Sequence, residues 1–166
     1  MIFIEPDEPN CAYNIPGWYE IQGRHIYLGN LENDLSKYEA EAKAIEAGGS
    51  LFEIRSSEDQ LILDAISNCY PSCSRFWLGG DDLASTGNWI WASDLSPISN
   101  VNFMNIDGVG DCIDFELCGD YQWHRARCGG QEIPHGFIAE KGKFLYILFV
   151  RLHTGAKKHN LLKDRF

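Results

Sequence analysis

The order in which residue periodicities change along this chain constrains its fold more than any single motif. Two helix-forming windows come early, and the residues after them read as short strands and turns. From Asn33 to Ala47 the segment NDLSKYEAEAKAIEA is rich in Ala, Glu and Lys and opens on good N-cap residues. It runs into Gly48 and Gly49, where a left-handed C-cap forms at little cost. A short apolar strand, SLFEI, is predicted over Ser50 to Ile54. The next window, SSEDQLILDAISN, places Ser57 three residues ahead of Gln60, a capping-box spacing, and continues with Leu61, Ala65 and Ile66 near helical spacing. Beyond it Gly, Asn, Asp and Ser punctuate the aromatic and β-branched runs RFWLGG, GNWIWA, DCIDFEL, YQWHRARC and HGFIAEK. Helices first and strands afterwards predict an α+β fold, not an alternating βαβ sheet.

A chain of 166 residues with 45% hydrophobic content closes one sizeable core. Its longest apolar run, FLYILFV at Phe144 to Val150, is far too short to cross a bilayer as a helix, so no transmembrane segment is expected. The start, MIFIEPDEP, lacks the charged beginning and long apolar centre of a secretory leader, and no signal peptide is expected in it. Charge is unevenly spread. Residues 1–140 hold 7 Lys and Arg against 23 Asp and Glu, a net of −16, whereas residues 141–166 hold 7 against 1, a net of +6. So acidic a body repels phosphate backbones, which excludes nucleic acid as its partner. The basic tail is most simply a solvated end.

Trp77, Leu78, Trp89 and Trp91 are large apolar residues on short strands, where alternation favours a core role over a sugar-stacking platform. The six cysteines, Cys11, Cys69, Cys73, Cys112, Cys118 and Cys128, lack the paired short spacings of a structural zinc site and suit disulfides in an oxidising compartment. Catalytic signatures are missing. No Gly-rich phosphate loop, nucleophile elbow or His-Glu-x-x-His motif occurs, and Pro134 interrupts the nearest acid and histidine, Glu132 and His135. Asp81 and Asp82 follow a strand at a turn, where Asp serves local hydrogen bonding. No enzyme is expected.

Taken in order, IPGWYEI (Ile15 to Ile21), EAGGSLFEIRSSED (Glu46 to Asp59), FWLGG (Phe76 to Gly80), GNWIW (Gly87 to Trp91), DCIDF (Asp111 to Phe115), QWHRARC and FIAE resemble the C-type lectin-like domain. The resemblance covers residues 11–141, leaving residues 1–10 as an N-terminal extension and 142–166 as a basic tail. It implies a small α+β domain in which two helices flank small antiparallel sheets beneath a long loop region. It also implies an extracellular or secreted recognition module and a disulfide between Cys112 and Cys128 that braces the long loop. A bridge closing a loop of this size is worth on the order of 3 kcal/mol.

The departures from the family are informative. A second family bridge would join positions 44 and 139, and both are Ala here. Family members often pair a cysteine near Cys11 with one just before Tyr27, where this chain has His25 and Ile26, so the partners of Cys11, Cys69, Cys73 and Cys118 stay open. Calcium-dependent sugar-binding members carry Trp-Asn-Asp, and this chain reads Trp123-His124-Arg125. They also carry a proline-centred triplet in the long loop and a Glu before Asp-Cys. Here NVNFMNIDGVGDC has no proline, and Gly110 stands at the second place. Calcium takes six to eight oxygen ligands, whereas Arg offers only donors and positive charge. No cofactor is therefore expected; were a calcium site rebuilt, Asn105, Asp107, Asp111, Asp114 and Glu116 would supply its oxygens.

Alternation places Asp114 and Glu116 on one strand face, where Arg125 or Arg127 could pair with them across strands. His124 is read as a hydrogen-bonded spacer. The function expected is calcium-independent binding of a protein or glycan through the long-loop face, with Phe103, Asn105, Asp107, Asp111, His124 and Arg125 as contact residues. A carbohydrate-binding lectin with a rebuilt calcium site is the alternative, and adhesion to ice or mineral is a further one. An exposed apolar loop face at Phe103, Met104, Ile106 and Val109 would favour a protein partner.

Overall fold

The structure is a computed structural model that describes residue 13 and residues 16–29, 34–67, 74–99, 109–116, 122–130 and 134–142. In chain order its elements are β1 (Gly17–Ile21), β2 (Arg24–Leu28), α1 (Lys37–Glu46), β3 (Gly49–Leu51), α2 (Ser57–Ser67), β4 (Arg75–Asp81), β5 (Ile90–Trp91), β6 (Cys112–Glu116), β7 (Gln122–Ala126) and β8 (His135–Lys141). Strands β1 and β2 form a hairpin in which Ile21 faces Arg24. The two intervening residues, Gln22 and Gly23, have φ of 53° and 73°, both left-handed as the tightest hairpin turns require.

Both helices form where their windows predict, with boundaries set by caps that the sequence reading placed differently. Helix α1 starts at Lys37 and not at Asn33, because Ser36 and Glu39 form a reciprocal capping box there. It ends before Gly48, whose φ is 89°. In α2 the box uses Ser56 and Asp59 in place of Ser57 and Gln60: the Asp59 carboxylate accepts from the Ser56 N–H at 2.8 Å, and the Ser56 hydroxyl accepts from the Asp59 N–H at 3.3 Å. The buried stripe is accordingly Ile62, Leu63 and Ile66, while Leu61 is exposed. The apolar strand before α2 is Gly49–Leu51, one residue earlier and shorter than SLFEI.

The main hydrogen-bonded path of the sheet is β1-β2-β8-β4-β6-β7, with β3 on β8 and β5 on β4. All pairings are antiparallel except β4 with β8, where Arg75–Trp77 run parallel to His135–Phe137. Ala139 of β8 faces both Tyr27 and Leu51. Every residue from His135 to Glu140 is buried. One core cluster gathers Ile26, Phe52, Leu63, Phe76 and Phe115. A second holds Leu35, Ala40, Ala44, Trp77, Phe137 and Ala139. Trp77, Leu78 and Trp91 are buried as anticipated, and Trp89 is half-buried. The Trp77 indole N–H donates to the Leu35 carbonyl, tying the entry of α1 to β4.

Arg55 organises the turn after β5. Its guanidinium bonds Asp94 at 2.8 and 3.0 Å, Glu53 at 2.8 Å and the hydroxyls of Ser93 and Ser96 at 3.0 Å, and it lies over the Trp91 ring. That guanidinium holds the Asp94 carboxyl well below the ordinary aspartate value of 3.8. A carboxyl depressed on folding contributes stability that is present above its unfolded value and lost as pH falls through the folded one. We therefore expect urea-unfolding stability to begin falling below about pH 3.8. Arg55→Gln should flatten that part of the curve, and an unchanged acid limb in the variant would dismiss the Arg55–Asp94 contribution.

Ala44 and Ala139, the positions of the missing family bridge, are both fully buried in the same cluster. Introducing Ala44→Cys with Ala139→Cys should form a bridge without oxidant-induced dimers. Closing a loop of roughly 95 residues should add about 4 kcal/mol over the reduced variant, measured by denaturant unfolding with and without reductant.

Candidate functional site

Pairing of β6 with β7 builds the site. Cys112 faces Ala126, Ile113 faces Arg125, Asp114 faces His124 and Phe115 faces Trp123. The disulfide Cys112–Cys128 closes the upper end of this pair with Cα atoms 5.3 Å apart. Because facing residues share a side of the sheet, Asp114, Glu116 and His124 project one way and Arg125 the other.

On the first side lies a buried charge cluster. Asp114 and His135 are both fully buried, with His135 Nε2 2.9 Å from Asp114 Oδ2 and the imidazole stacked on Trp77 at 4.5 Å. Arg75 of β4 reaches Asp114 at 3.3 Å and Glu116 at 2.8 Å. His124 Nδ1 lies 3.1 Å from Glu116 Oε2, and His135 Nδ1 lies 3.5 Å from Asp34 Oδ1. The cationic partner of Asp114 and Glu116 is thus Arg75, with His135 and His124 as their imidazole neighbours. This corrects the expected cross-strand pairing with Arg125, which faces Ile113 on the opposite side. His124 has the hydrogen-bonding role read from the sequence.

Arg125 instead donates from Nε at 3.2 Å and Nη2 at 3.1 Å to one acceptor, the carbonyl of Gly110. Its guanidinium lies 5.4 Å from the centre of the Trp89 ring. Gly110 has φ of 153°, and a Cβ there would sit 2.1 Å from the Ala126 carbonyl oxygen, so only glycine fits. Next to it Val109 is 68% exposed and Asp111 is exposed. The Asp111 carbonyl accepts from the Asp82 N–H at 3.0 Å, which joins this segment to the turn after β4. Asp81 and Asp82 accept from the N–H groups of Leu83 and Gly87, the local bonding expected of them. Oδ1 of the buried Asp82, however, has no hydrogen-bond partner among the described residues.

Of the sequence-predicted site residues, Asp111, His124 and Arg125 lie in this region, and Phe103, Asn105 and Asp107 fall outside the described residues, as do Met104 and Ile106. Sequence reasoning missed Arg75, His135, Asp34 and the unpartnered Asp82 oxygen. The described positions suit a calcium ion poorly: Gly110 has no side chain, Arg125 places a cation on its carbonyl, and Asp114 and Glu116 face cationic partners. Among the described residues no three His, Cys, Asp or Glu side chains are grouped to hold a metal.

No family model matches the chain. Over 93 residues it is 28% identical to a perlucin-like protein of Mytilus galloprovincialis, which covers 53% of this chain and 60% of the relative. Over 119 residues it is 30% identical to the CD209 antigen of Nomascus concolor, covering 67% of this chain and 27% of that protein. The chain therefore spans less than two-thirds of the length of these relatives. Among solved structures it is similar to the C-type carbohydrate-recognition domain of cow CD23, crystallised in the presence of a GlcNAc2Man3 oligosaccharide. The TM-score is 0.58 at 25% identity, over 75% of this chain and 92% of that domain.

The close approach at Gly110 yields a stability prediction. Gly110→Ala should cost about 3 kcal/mol through overpacking and backbone strain. Gly129→Ala, where the added methyl meets nothing within 4 Å, should change stability far less. Urea unfolding of the two variants checks the contrast.

Proposed function

We propose, from the premise that this chain is a C-type lectin-like domain, that it is a non-catalytic recognition module that works outside the cell and binds its ligand without calcium. The domain spans residues 11–141, with 142–166 as an appended basic tail. The ligand is a protein or a glycan, taken by the long-loop face around Asp111 and Arg125, with Phe103, Asn105 and Asp107 as further contacts; His124, on the other side of the sheet beside Glu116, is left out of the contact set. One observation carries the calcium-independent reading: a guanidinium bridges two places where calcium-binding members of the family carry ligands, bonding residue 125 to the carbonyl of residue 110. The similarity to a CD23 carbohydrate-recognition domain crystallised in the presence of an oligosaccharide supports the glycan side of the reading. An acid–base role for the Asp114–His135 pair is disfavoured because both side chains are fully buried.

A second reading rests on Asp82. Its unpartnered Oδ1 and the neighbouring Asp111 are oxygen donors that, with Asn105 and Asp107, could assemble a rebuilt calcium site.

Thermal unfolding in excess calcium and in chelator separates the two. We expect the same Tm in both. A site saturated a hundredfold above its Kd would add about 2.7 kcal/mol, or about 5 to 10 °C. A rise of that size, abolished by Asp82→Asn, would overturn the metal-free reading and establish the second.

A further inference from the structure

A guanidinium carries five N–H donors in one plane, arranged as two usable edges beyond its stem. In Arg125 the Nε/Nη2 edge is spent on a single oxygen, the Gly110 carbonyl. The other edge, made by Nη1 and the outer Nη2–H, has no partner among the described residues, although the chain contains 24 Asp and Glu. The Trp89 ring beneath the guanidinium and the carbonyl at its inner edge together set the orientation of the plane. An oriented fork of two parallel N–H donors is the complement of a carboxylate.

The surroundings narrow the choice of acid. Val109, beside Gly110, is 68% exposed and offers an apolar contact to the C–H face of a ring. Asp111 is exposed two residues away from it, within a body of net charge −16 over residues 1–140, so a densely sulfated polymer meets net repulsion. A sugar bearing one carboxylate gains the bidentate contact with the least opposing charge. We infer that the loop face takes an acidic sugar of the uronic-acid class, its carboxylate seated on the Nη1/Nη2 edge of Arg125 with no metal between them. This inference rests on the calcium-independent recognition reading and names its ligand class.

Calorimetric titration with trigalacturonate and with its methyl ester, both in chelator at low salt, tests it. The ester keeps every ring and removes only the charge. Wild-type protein should bind the acid at least about tenfold more tightly than the ester, and the preference should shrink as sodium chloride is raised. Arg125→Lys, which keeps the charge but not the fork, should lose about tenfold, and Arg125→Gln should lose the preference altogether. If Arg125→Gln fails to fold, the acid-against-ester comparison on wild-type protein decides alone. Equal binding of acid and ester, or a preference that survives in Arg125→Gln, would overturn the inference and leave the recognition reading standing. Binding of both sugars in calcium but not in chelator would overturn the metal-free reading itself. No binding of either sugar under any condition would overturn the acidic-sugar assignment and leave a protein as the ligand.

Discussion

Strand β8 hydrogen-bonds to β2, β3 and β4. The hairpin β1–β2, the short strand between the helices and the β4–β6–β7 layer that carries Arg125 are connected through it. Backbone N–H and C=O groups buried this deeply must be paired, so a strand buried along almost its whole length demands neighbours on both sides. That demand brings residues near position 26 and residues near position 139 into one register. Antiparallel pairing would place Arg75 at the opposite end of β8; the parallel register sets it beside His135.

From that register comes the charge cluster on one side of β6 and β7. Asp114 is fully buried, and a carboxylate in that position is tolerated only because Arg75 and His135 reach it. Removing one partner of such a cluster leaves uncompensated buried charge and typically costs about 3–5 kcal/mol, whereas the intact cluster adds little net stability over a well-packed apolar one. Its contribution is therefore positional. It locks β6 and β7 to β4 and to the entry of α1, and the opposite side of the same two strands is where Arg125 meets Gly110.

Local features were legible in the sequence, and non-local ones were not. Gly48 announced the end of α1 because a left-handed cap needs only its own residue. Ser36 and Ser56 each compete with serine or asparagine neighbours for the cap, and which one wins depends on tertiary packing of the adjoining stripe, so the starts shifted. The lectin-like order of motifs carried the Cys112–Cys128 bridge and the loss of the Ala44–Ala139 one. The partner of Arg125 could not be read by alternation alone, because its acceptor is a backbone carbonyl 15 residues away, outside any strand. Arg75 was equally hidden: its meeting with Asp114 and Glu116 depends on β4 and β6 pairing across sequence separations of 39 and 41.

Replacing an exchangeable ion by a tethered guanidinium alters how a binding face responds to its surroundings. A calcium-dependent face is assembled by mass action and empties when the ion falls below its Kd. A side-chain cation bonded to the carbonyl of residue 110 is present at fixed stoichiometry, and on the calcium-independent function proposed above it would leave the face ready at any calcium concentration. On that proposal the favoured ligand chemistry changes with it. Calcium accepts neutral hydroxyl oxygens as ligands in place of water, whereas a guanidinium gains most from a planar anion that fills two donors at once. Glycine at 110 completes the exchange, since any side chain there would strike the Ala126 carbonyl and displace the oxygen that orients the cation. Gly110 and Arg125 thus depend on each other: the carbonyl that orients the guanidinium holds its place only because residue 110 has no side chain.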